Sequence, residues 1–463
     1  MRWTARAASL AVSISIAITS IPAMAGEVSA QTRPDARTAS PATLTLQQAV
    51  SEALDSYPTV RAAQAVSEAA QASLGQSKAA RWPDLNVGGL TTRFEEPMIV
   101  TPIHAFTPGQ TPDFDRTLIQ AGGTLNFVLL DGGARRARIE TAGGEASGAA
   151  ADLGTQTQAL VATVAATYLD VLTGEEVLAA HDHRITAFES ELRRVRQRLD
   201  VGRAAKLEVL RVEAALASAR SDRVSVAASL DLADRELARL IGAPGTGDER
   251  RALAPLRLVE AALPSRDALL ARAYAANPAL EAARRRQDAA QARVSIARSI
   301  RWPRVELNAN LTDRGGLTAG HTTEWAATAQ VAVPLFTGGR IGRGIARSEA
   351  EARVAGERTR LAATEIERAV DRAVSLIEET DARARSLETA AARSEEVVRI
   401  ESLRLETETG TQTDYLDAQA GLLAAQADLA AVRHARILAR IELARALGEL
   451  TPEWLAQTVG AER

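Results

Sequence analysis

From Val305 to Thr312 apolar and polar residues alternate without a break. Val305, Leu307, Ala309 and Leu311 fall on one side, and Glu306, Asn308, Asn310 and Thr312 on the other. After a stretch holding Gly315, Gly316 and Gly320 the alternation resumes. Trp325, Ala327, Ala329, Val331, Val333 and Leu335 face one way; Glu324, Ala326, Thr328, Gln330 and Ala332 face the other. A period of two with one apolar side predicts half-buried β-strands, here about 304–313 and 324–335. The pattern occurs earlier in Leu85 and Val87, then in Ile119, Ala121, Leu125, Phe127 and Leu129 with Thr124 and Asn126 opposite. That predicts strands at about 84–93 and 117–130. About eleven residues at roughly 3.3 Å each, tilted by about 40°, cover close to the 25 Å apolar band of an outer-membrane barrel. A soluble hairpin packing one side on a core is the alternative. Trp82, Trp302 and Trp325, all at strand ends where an aromatic girdle belongs, argue for the membrane.

Elsewhere the period lengthens. Between residues 364 and 408 there is neither glycine nor proline. Ile366, Val370, Ala373, Ile377, Thr380, Ala384, Leu387, Ala391, Ser394 and Val398 recur there at spacings of four and three. This is a coiled-coil seam rich in small residues, which lets neighbouring helices approach closely. It predicts a helix over 341–408, on the order of 100 Å long at about 1.5 Å per residue. Gly410 ends it, and a second helix runs back over 415–446. Helices over 136–201 and 207–240, joined at Gly202, make the same hairpin earlier in the chain. A further helix from Ser265 to Ser299 leads into the second strand pair, and Trp302-Pro303 stops it because proline lacks an N–H.

The chain is thus written twice. Arg301-Trp302-Pro303 repeats Arg81-Trp82-Pro83, and Asn277-Pro278 answers Tyr57-Pro58, both 220 positions on. Gly338-Gly339 answers Gly132-Gly133 only 206 positions on, and that spacing holds to the end of the second copy. The first copy therefore carries an insertion, 95–115, whose Pro97, Pro102, Pro108 and Pro112 predict a surface loop outside the cell. The resulting organisation is repeat 1 at 44–242, a connector at 243–263, repeat 2 at 264–448 and a tail at 449–463. Two repeats give four strands, too few to close a barrel, yet lipid tolerates no open sheet edge. Two chains would give eight strands with a filled interior; three would give twelve and leave a lumen, which the polar and small faces favour.

Arg2 and Arg6, an apolar stretch and Ala23-Met24-Ala25 predict a signal peptide over 1–25 followed by a linker over 26–43, with a membrane anchor as the alternative. Without cysteine the chain offers neither disulfides nor a lipidated cysteine. A net charge of −3 suggests no basic face for nucleic acid. Aromatic residues make up 3% of the chain against 46% hydrophobic, which fits long helices packed through alanine better than a globular core. His104, His181, His183, His321 and His434 lack metal-ligand spacing, and no nucleophile elbow or phosphate loop is present. Neither an enzyme nor a metal or cofactor site is expected.

The strand exits Leu335-Phe336-Thr337-Gly338-Gly339-Arg340 and Leu129-Leu130-Asp131-Gly132-Gly133-Ala134 carry a resemblance. So do the turn motifs Gly202…Leu207-Glu208-Val209-Leu210 and Gly410-Thr411-Gln412-Thr413-Asp414-Tyr415-Leu416-Asp417-Ala418-Gln419. In their order and duplication, from about Leu44 to Gly448, the chain resembles the TolC-type outer membrane efflux proteins. That resemblance implies a mixed α and transmembrane-β fold. A trimer would form a twelve-stranded β-barrel in the outer membrane of a Gram-negative bacterium, continued through the periplasm by a twelve-helix α-barrel. It implies a passive exit duct for efflux or type I secretion, opened by a periplasmic adaptor coupled to an inner-membrane pump of the RND, ABC or MFS type. The adaptor would touch Val201, Gly202 and Arg203 and Thr409, Gly410 and Thr411 at the helix tips. Asp414 and Asp417, on one helix face by their i, i+3 spacing, would form an acidic gate, with Glu208 as the first repeat's latch acid. The family's gate arginine has no counterpart in the shortened second turn; Arg203 and Arg404 are the substitutes at hand. On spacing alone the two aspartates read equally as solvated acids at a helix start. A periplasmic adaptor, itself exported and built on a long helical hairpin, is the rival reading, but it would carry one hairpin rather than two.

Overall fold

The computed structural model describes residues 43–102, 109, 111–243, 251–259, 261–407 and 409–461; the expected signal segment and the linker up to residue 42 lie outside them. Repeat 1 holds α1 (Leu46–Ser56), α2 (Pro58–Ala79), β1 (Asp84–Ile99), β2 (Phe114–Leu130), α3 (Ala134–Asp200) and α4 (Lys206–Leu240). The short strand β3 (Leu256–Leu258) precedes repeat 2, which holds α5 (Arg266–Ala276), α6 (Pro278–Ser299), β4 (Arg304–Gly316), β5 (His321–Ala332), α7 (Arg340–Glu406) and α8 (Gln412–Leu447). Helix α9 (Pro452–Thr458) and strand β6 (Val459–Ala461) follow.

The helix expected over 265–299 is two helices. Asn277 stands between them in an extended conformation, and its side chain accepts from the amides of Ala279 (2.9 Å) and Leu280 (3.4 Å), while Pro278 opens α6. Proline suits the first helical turn, whose N–H groups are unpaired in any case, and asparagine is a strong N-cap, so the pair restarts a helix rather than continuing one. Tyr57-Pro58 makes the same break between α1 and α2. Each long helix starts at a glycine pair: Gly132 and Gly133 have φ of 61° and 88°, Gly338 and Gly339 of 58° and 83°. Two successive left-handed positions at each corner explain why it reads Gly-Gly in both copies.

The sheet runs β1-β2-β4-β5, antiparallel throughout. The first hairpin is longer than the alternation suggested. Its ladder breaks after Arg93↔Thr117 and resumes at Met98↔Asp115, so Pro97 falls inside the bulge and loses no ladder bond. Part of the expected surface loop is therefore folded onto the sheet: Val100 is fully buried and its carbonyl accepts from Arg314 Nε at 3.0 Å. Residues 103–108 and 110 of the insertion lie outside the described residues. Strand β5 stops at Ala332, short of Val333 and Leu335, because Pro334 cannot donate to a ladder. Leu129 does not continue the apolar face of β2; it is the extra residue of a bulge, and Leu130 pairs with Val305.

The described parts of the connector and tail are also structured. β3 pairs with β6, Leu44 bridges Leu253, and both close over a core of Leu46, Val50, Tyr168, Ile441 and Leu455. The buried Tyr168 hydroxyl lies 2.8 Å from the carbonyls of both Leu44 and Ala254, and burial pushes its pKa well up. No alternation or long period marks these short segments, which is why sequence alone reads them as linkers. A second core joins Leu269 and Leu280 to Ile366, Val370, Ala373 and Ile377 of α7 and to Leu443 and Leu447 of α8. Here the 4–3 seam buries its side chains; further down, Leu387, Ala391, Ser394 and Val398 are half-buried. Among the described residues no helix is long and apolar enough to cross a membrane.

Candidate functional site

Cross-strand register gives the sheet two chemically distinct faces, since residues directly opposite each other share a face. Leu85↔Leu125, Leu125↔Ala309, Phe127↔Leu307, Ala309↔Ala327, Leu311↔Trp325 and Val305↔Val331 form one apolar surface across all four strands. Asn86↔Thr124, Thr124↔Asn310, Asn126↔Asn308, Asn308↔Thr328 and Glu306↔Gln330 form the polar one. Trp82 and Trp302 stand just before β1 and β4, and Trp325 lies opposite Leu311, so the tryptophans occupy two levels roughly 25–30 Å apart along the strands. They are 76%, 64% and 77% exposed in the single chain.

At the far end of the helices the two turns are built differently. Between α3 and α4, Gly202 adopts φ 74° and its N–H reaches Leu199 O at 2.9 Å, while Arg203 N reaches Arg198 O at 2.7 Å. This is a helix end closed by a left-handed glycine. Between α7 and α8 the sequence suggests the same role for Gly410, but its φ is not left-handed. It is a close-approach glycine: a Cβ there would lie 2.9 Å from the Arg404 Cβ, and Gly410 N donates to Arg404 O at 3.0 Å. Val201, Arg203, Thr409 and Thr411 are exposed and Gly410 is half-buried.

The acids sit in equivalent places. Glu208 is the third residue of α4 and its Oε1 accepts from Ala205 N at 3.3 Å. Asp414 is the third residue of α8; its N–H donates to Thr411 Oγ1 at 3.2 Å and its Oδ2 accepts from Thr411 N at 3.3 Å. Both carboxylates thus complete local caps, which satisfy amides the helix leaves unpaired. Asp417 is exposed one turn on. The candidate substitute arginines do not meet these acids within the chain. Arg404 binds Glu401 Oε1 at 2.8 Å and lies 3.5 Å from Thr409 O, while Arg211 of α4 crosses to Thr413 Oγ1 at 3.0 Å.

Sequence reasoning missed a polar cluster just above the turns. Glu191 of α3 is 4% exposed, yet it lies on the apolar stripe of Phe188 and Val195. Arg194 pairs with it and also reaches Glu406 of α7 at 3.1 Å. Gln412, 4% exposed, and the buried Tyr415 of α8 face the same carboxyl, and burial raises its pKa above the usual glutamate range although Arg194 opposes the shift. An acid at i, i+3 and i+4 spacing from core apolar residues was the available signal.

Residues 49–243 and 269–449, one stretch in each repeat, match the family described as outer membrane efflux protein. The chain belongs to the outer membrane efflux protein family. It is 24% identical over 372 residues to the outer membrane efflux protein BepC of Brucella suis, covering 78% of this chain and 79% of that one. To the outer membrane protein TolC of Vibrio cholerae it is 26% identical over 326 residues, covering 68% and 73%. Its fold is similar to the crystal structure of the outer membrane protein VceC of Vibrio cholerae, with a TM-score of 0.73 at 21% identity over 87% of this chain and 96% of that one. This efflux protein is therefore a TolC-type outer membrane factor. Its family is one of outer-membrane efflux channels, which are not enzymes.

Proposed function

We propose that three copies close into one conduit, a twelve-stranded β-barrel continued by a twelve-helix α-barrel, that passively conducts solutes out of the cell. The carrying observation is that the four-stranded sheet has an apolar face spanning every strand while β1 and β5 keep free edges. In lipid, those edges must pair. The repeat supplies the partner. Helix α6 packs extensively on both α3 and α7, whereas its counterpart α2 packs extensively on α3 alone. The position α6 occupies against α3 is thus left open on α7, for the α2 of another copy. A Cβ on Gly148 of α3 would sit 3.7 Å from Arg286 Cγ of α6. The equivalent positions in the open contact are Val354 and Val66, apolar and 51% and 61% exposed. Three copies place the polar strand face around an open lumen; two would fill it.

In this reading Val201-Gly202-Arg203 and Thr409-Gly410-Thr411 meet a periplasmic adaptor, which couples the channel to an inner-membrane RND, ABC or MFS pump. Asp414 and Asp417 line the periplasmic constriction, Glu208 stands beside them from the other hairpin, and Trp82, Trp302 and Trp325 seat the barrel in outer-membrane lipid. Planar-bilayer recording tests the channel and its gate together. The parent should give a small, cation-preferring conductance that multivalent cations block from the periplasmic side. Asp414→Ala/Asp417→Ala should raise the conductance and lose the preference and the block. No conductance from the purified parent would sink the channel; unchanged selectivity and block in the double variant would move the constriction elsewhere.

A further inference from the structure

The helix-to-strand junction carries cations that no carboxylate among the described residues neutralises. Arg81 and Arg301, each immediately before an exposed tryptophan, and Arg340 and Arg343, three apart in the first turn of α7, are all exposed. None of the four has a carboxylate within ion-pairing distance among the described residues. Several arginines around them are paired: Arg135 with Asp131 at 3.3 Å, Arg136 with Glu140 at 2.9 Å and Arg298 with Glu349 at 2.7 Å. The junction's remaining acids belong to the polar face of the sheet. Asp84 lies opposite Asn126, and Glu306, opposite Gln330, is held by Arg304. Trp302 shows what assembly does here. Its neighbouring strand exit is already in place, since a Cβ on Gly132 would lie 2.7 Å from the Trp302 Cβ, and it is still 64% exposed. In the barrel reading, the repeat would bring Trp82 against Gly338 of the adjacent copy in the same way.

We propose that these Arg-Trp pairs, with Arg340 and Arg343, form a collar that binds anionic phospholipid headgroups of the periplasmic leaflet. The proposal rests on the barrel reading above. Tryptophan seats its ring at the headgroup level. The adjacent guanidinium forks offer bidentate donors to a phosphodiester, and an arginine's long apolar stem lets its charge reach that level from the entry of one strand or the exit of its antiparallel neighbour. Repetition places one Arg-Trp pair at each half-protomer, so a closed trimer would be ringed by them at even spacing. The charge pattern fits a lipid surface better than the lumen, whose wall at this height already carries both signs in balance, as Arg304 with Glu306.

Native mass spectrometry of the purified full-length protein in micelles doped with phosphatidylglycerol, or in parallel with phosphatidylcholine of equal chain length, tests this. The parent should retain phosphatidylglycerol selectively. Arg81→Gln/Arg301→Gln should weaken that retention by about fivefold or more per arginine near the headgroups, and adding Arg340→Gln/Arg343→Gln should remove the preference. Arg81→Lys/Arg301→Lys should restore most of it, which a loss of fold would not allow. Equal retention of the two lipids by the parent overturns the collar, as does displacement of phosphatidylglycerol by the same concentration of inorganic phosphate. If the glutamine variants keep the lipid but change ion selectivity in planar bilayers, the arginines face the lumen and the collar is again wrong. Insertion as a conducting trimer without lipid preference would defeat the collar alone; failure of the parent to insert at all would defeat the barrel reading beneath it.

Discussion

Helices α3 and α7 have the same length, 67 residues, and the same glycine-pair entrance, yet they are packed very differently. α3 touches α1, α2, α4, α6 and α8, and no large apolar side chain along it is exposed. α7 has α5, α6 and α8, and its buried residues are Ile345, the run from Ile366 to Ala384, and Leu405. Above and below that run Val354, Leu361, Val397, Ile400 and Leu403 stand open to solvent. Equivalent helices of a duplicated chain are expected to have equivalent surroundings. Under the proposed assembly, the difference measures what is missing from one copy alone: α3 is an interior helix of the chain, and α7 is the edge that another copy would cover.

The largest effect should come from charging that edge. Val66→Glu and Val354→Glu, each exposed in the single chain, should leave helix content unchanged but convert trimer to monomer in size-exclusion chromatography with light scattering. A stable trimer in the double variant would mean that α7 meets some other partner. A step smaller is the contrast between the two helices' interiors. Tyr168→Ala in α3 empties a fully buried site and should cost about 3–5 kcal/mol, whereas Val374→Ala at the equivalent, half-buried place on α7 should cost about 1 kcal/mol. Thermal unfolding monitored by circular dichroism compares them. Equal losses would show that the two environments are alike after all.

The smallest expected effect lies where the two hairpins touch near their tips. The Glu191 carboxyl has its pKa raised by burial from an ordinary 4.5, so the folded state holds this proton more tightly than the unfolded one. Stability from this group is greatest at acid pH and is lost as pH rises from that ordinary value through the folded one. Glu191→Gln should flatten this dependence, detected as amide protection near Gln412 and Tyr415, relative to the intrinsic exchange rate at each pH, that no longer falls between acid and neutral pH. The same pH response in the variant would assign it to another group.

Much of this was legible in the sequence, for physical reasons that also mark its limits. Strand faces follow from a period of two, and the register pairs Leu85, Leu125, Ala309 and Ala327 along one surface as that period requires. The α7 seam is legible because 4–3 spacing has one structural meaning, and it buries Ile366 through Ala384. Short elements were not legible. β3, β6 and α9 carry too few residues for any period, and they are held by long-range contacts such as the Tyr168 hydroxyl. Pro97 was read as excluding a strand, but a bulge accommodates it, because a missing N–H matters only where the ladder needs one. At the tips, spacing located Asp414 and Glu208 but not the caps they complete, and the pairing of Glu191 with Arg194 and Gln412 depends on which helices meet.

The central claim is that α2 of one copy fills the place on α7 that α6 fills on α3. Within the chain a Cβ on Gly144 would lie 3.0 Å from the Ala289 Cβ, and the equivalent positions between copies are Ala350 and Ala69. The double variant Ala69→Cys/Ala350→Cys, oxidised in outer membranes, should give a covalently closed trimer on a non-reducing gel, because such a spacing lies within reach of a disulfide. Each single variant should remain monomeric on the same gel. Monomer alone from the double variant, in membranes where the channel conducts, would contradict the account.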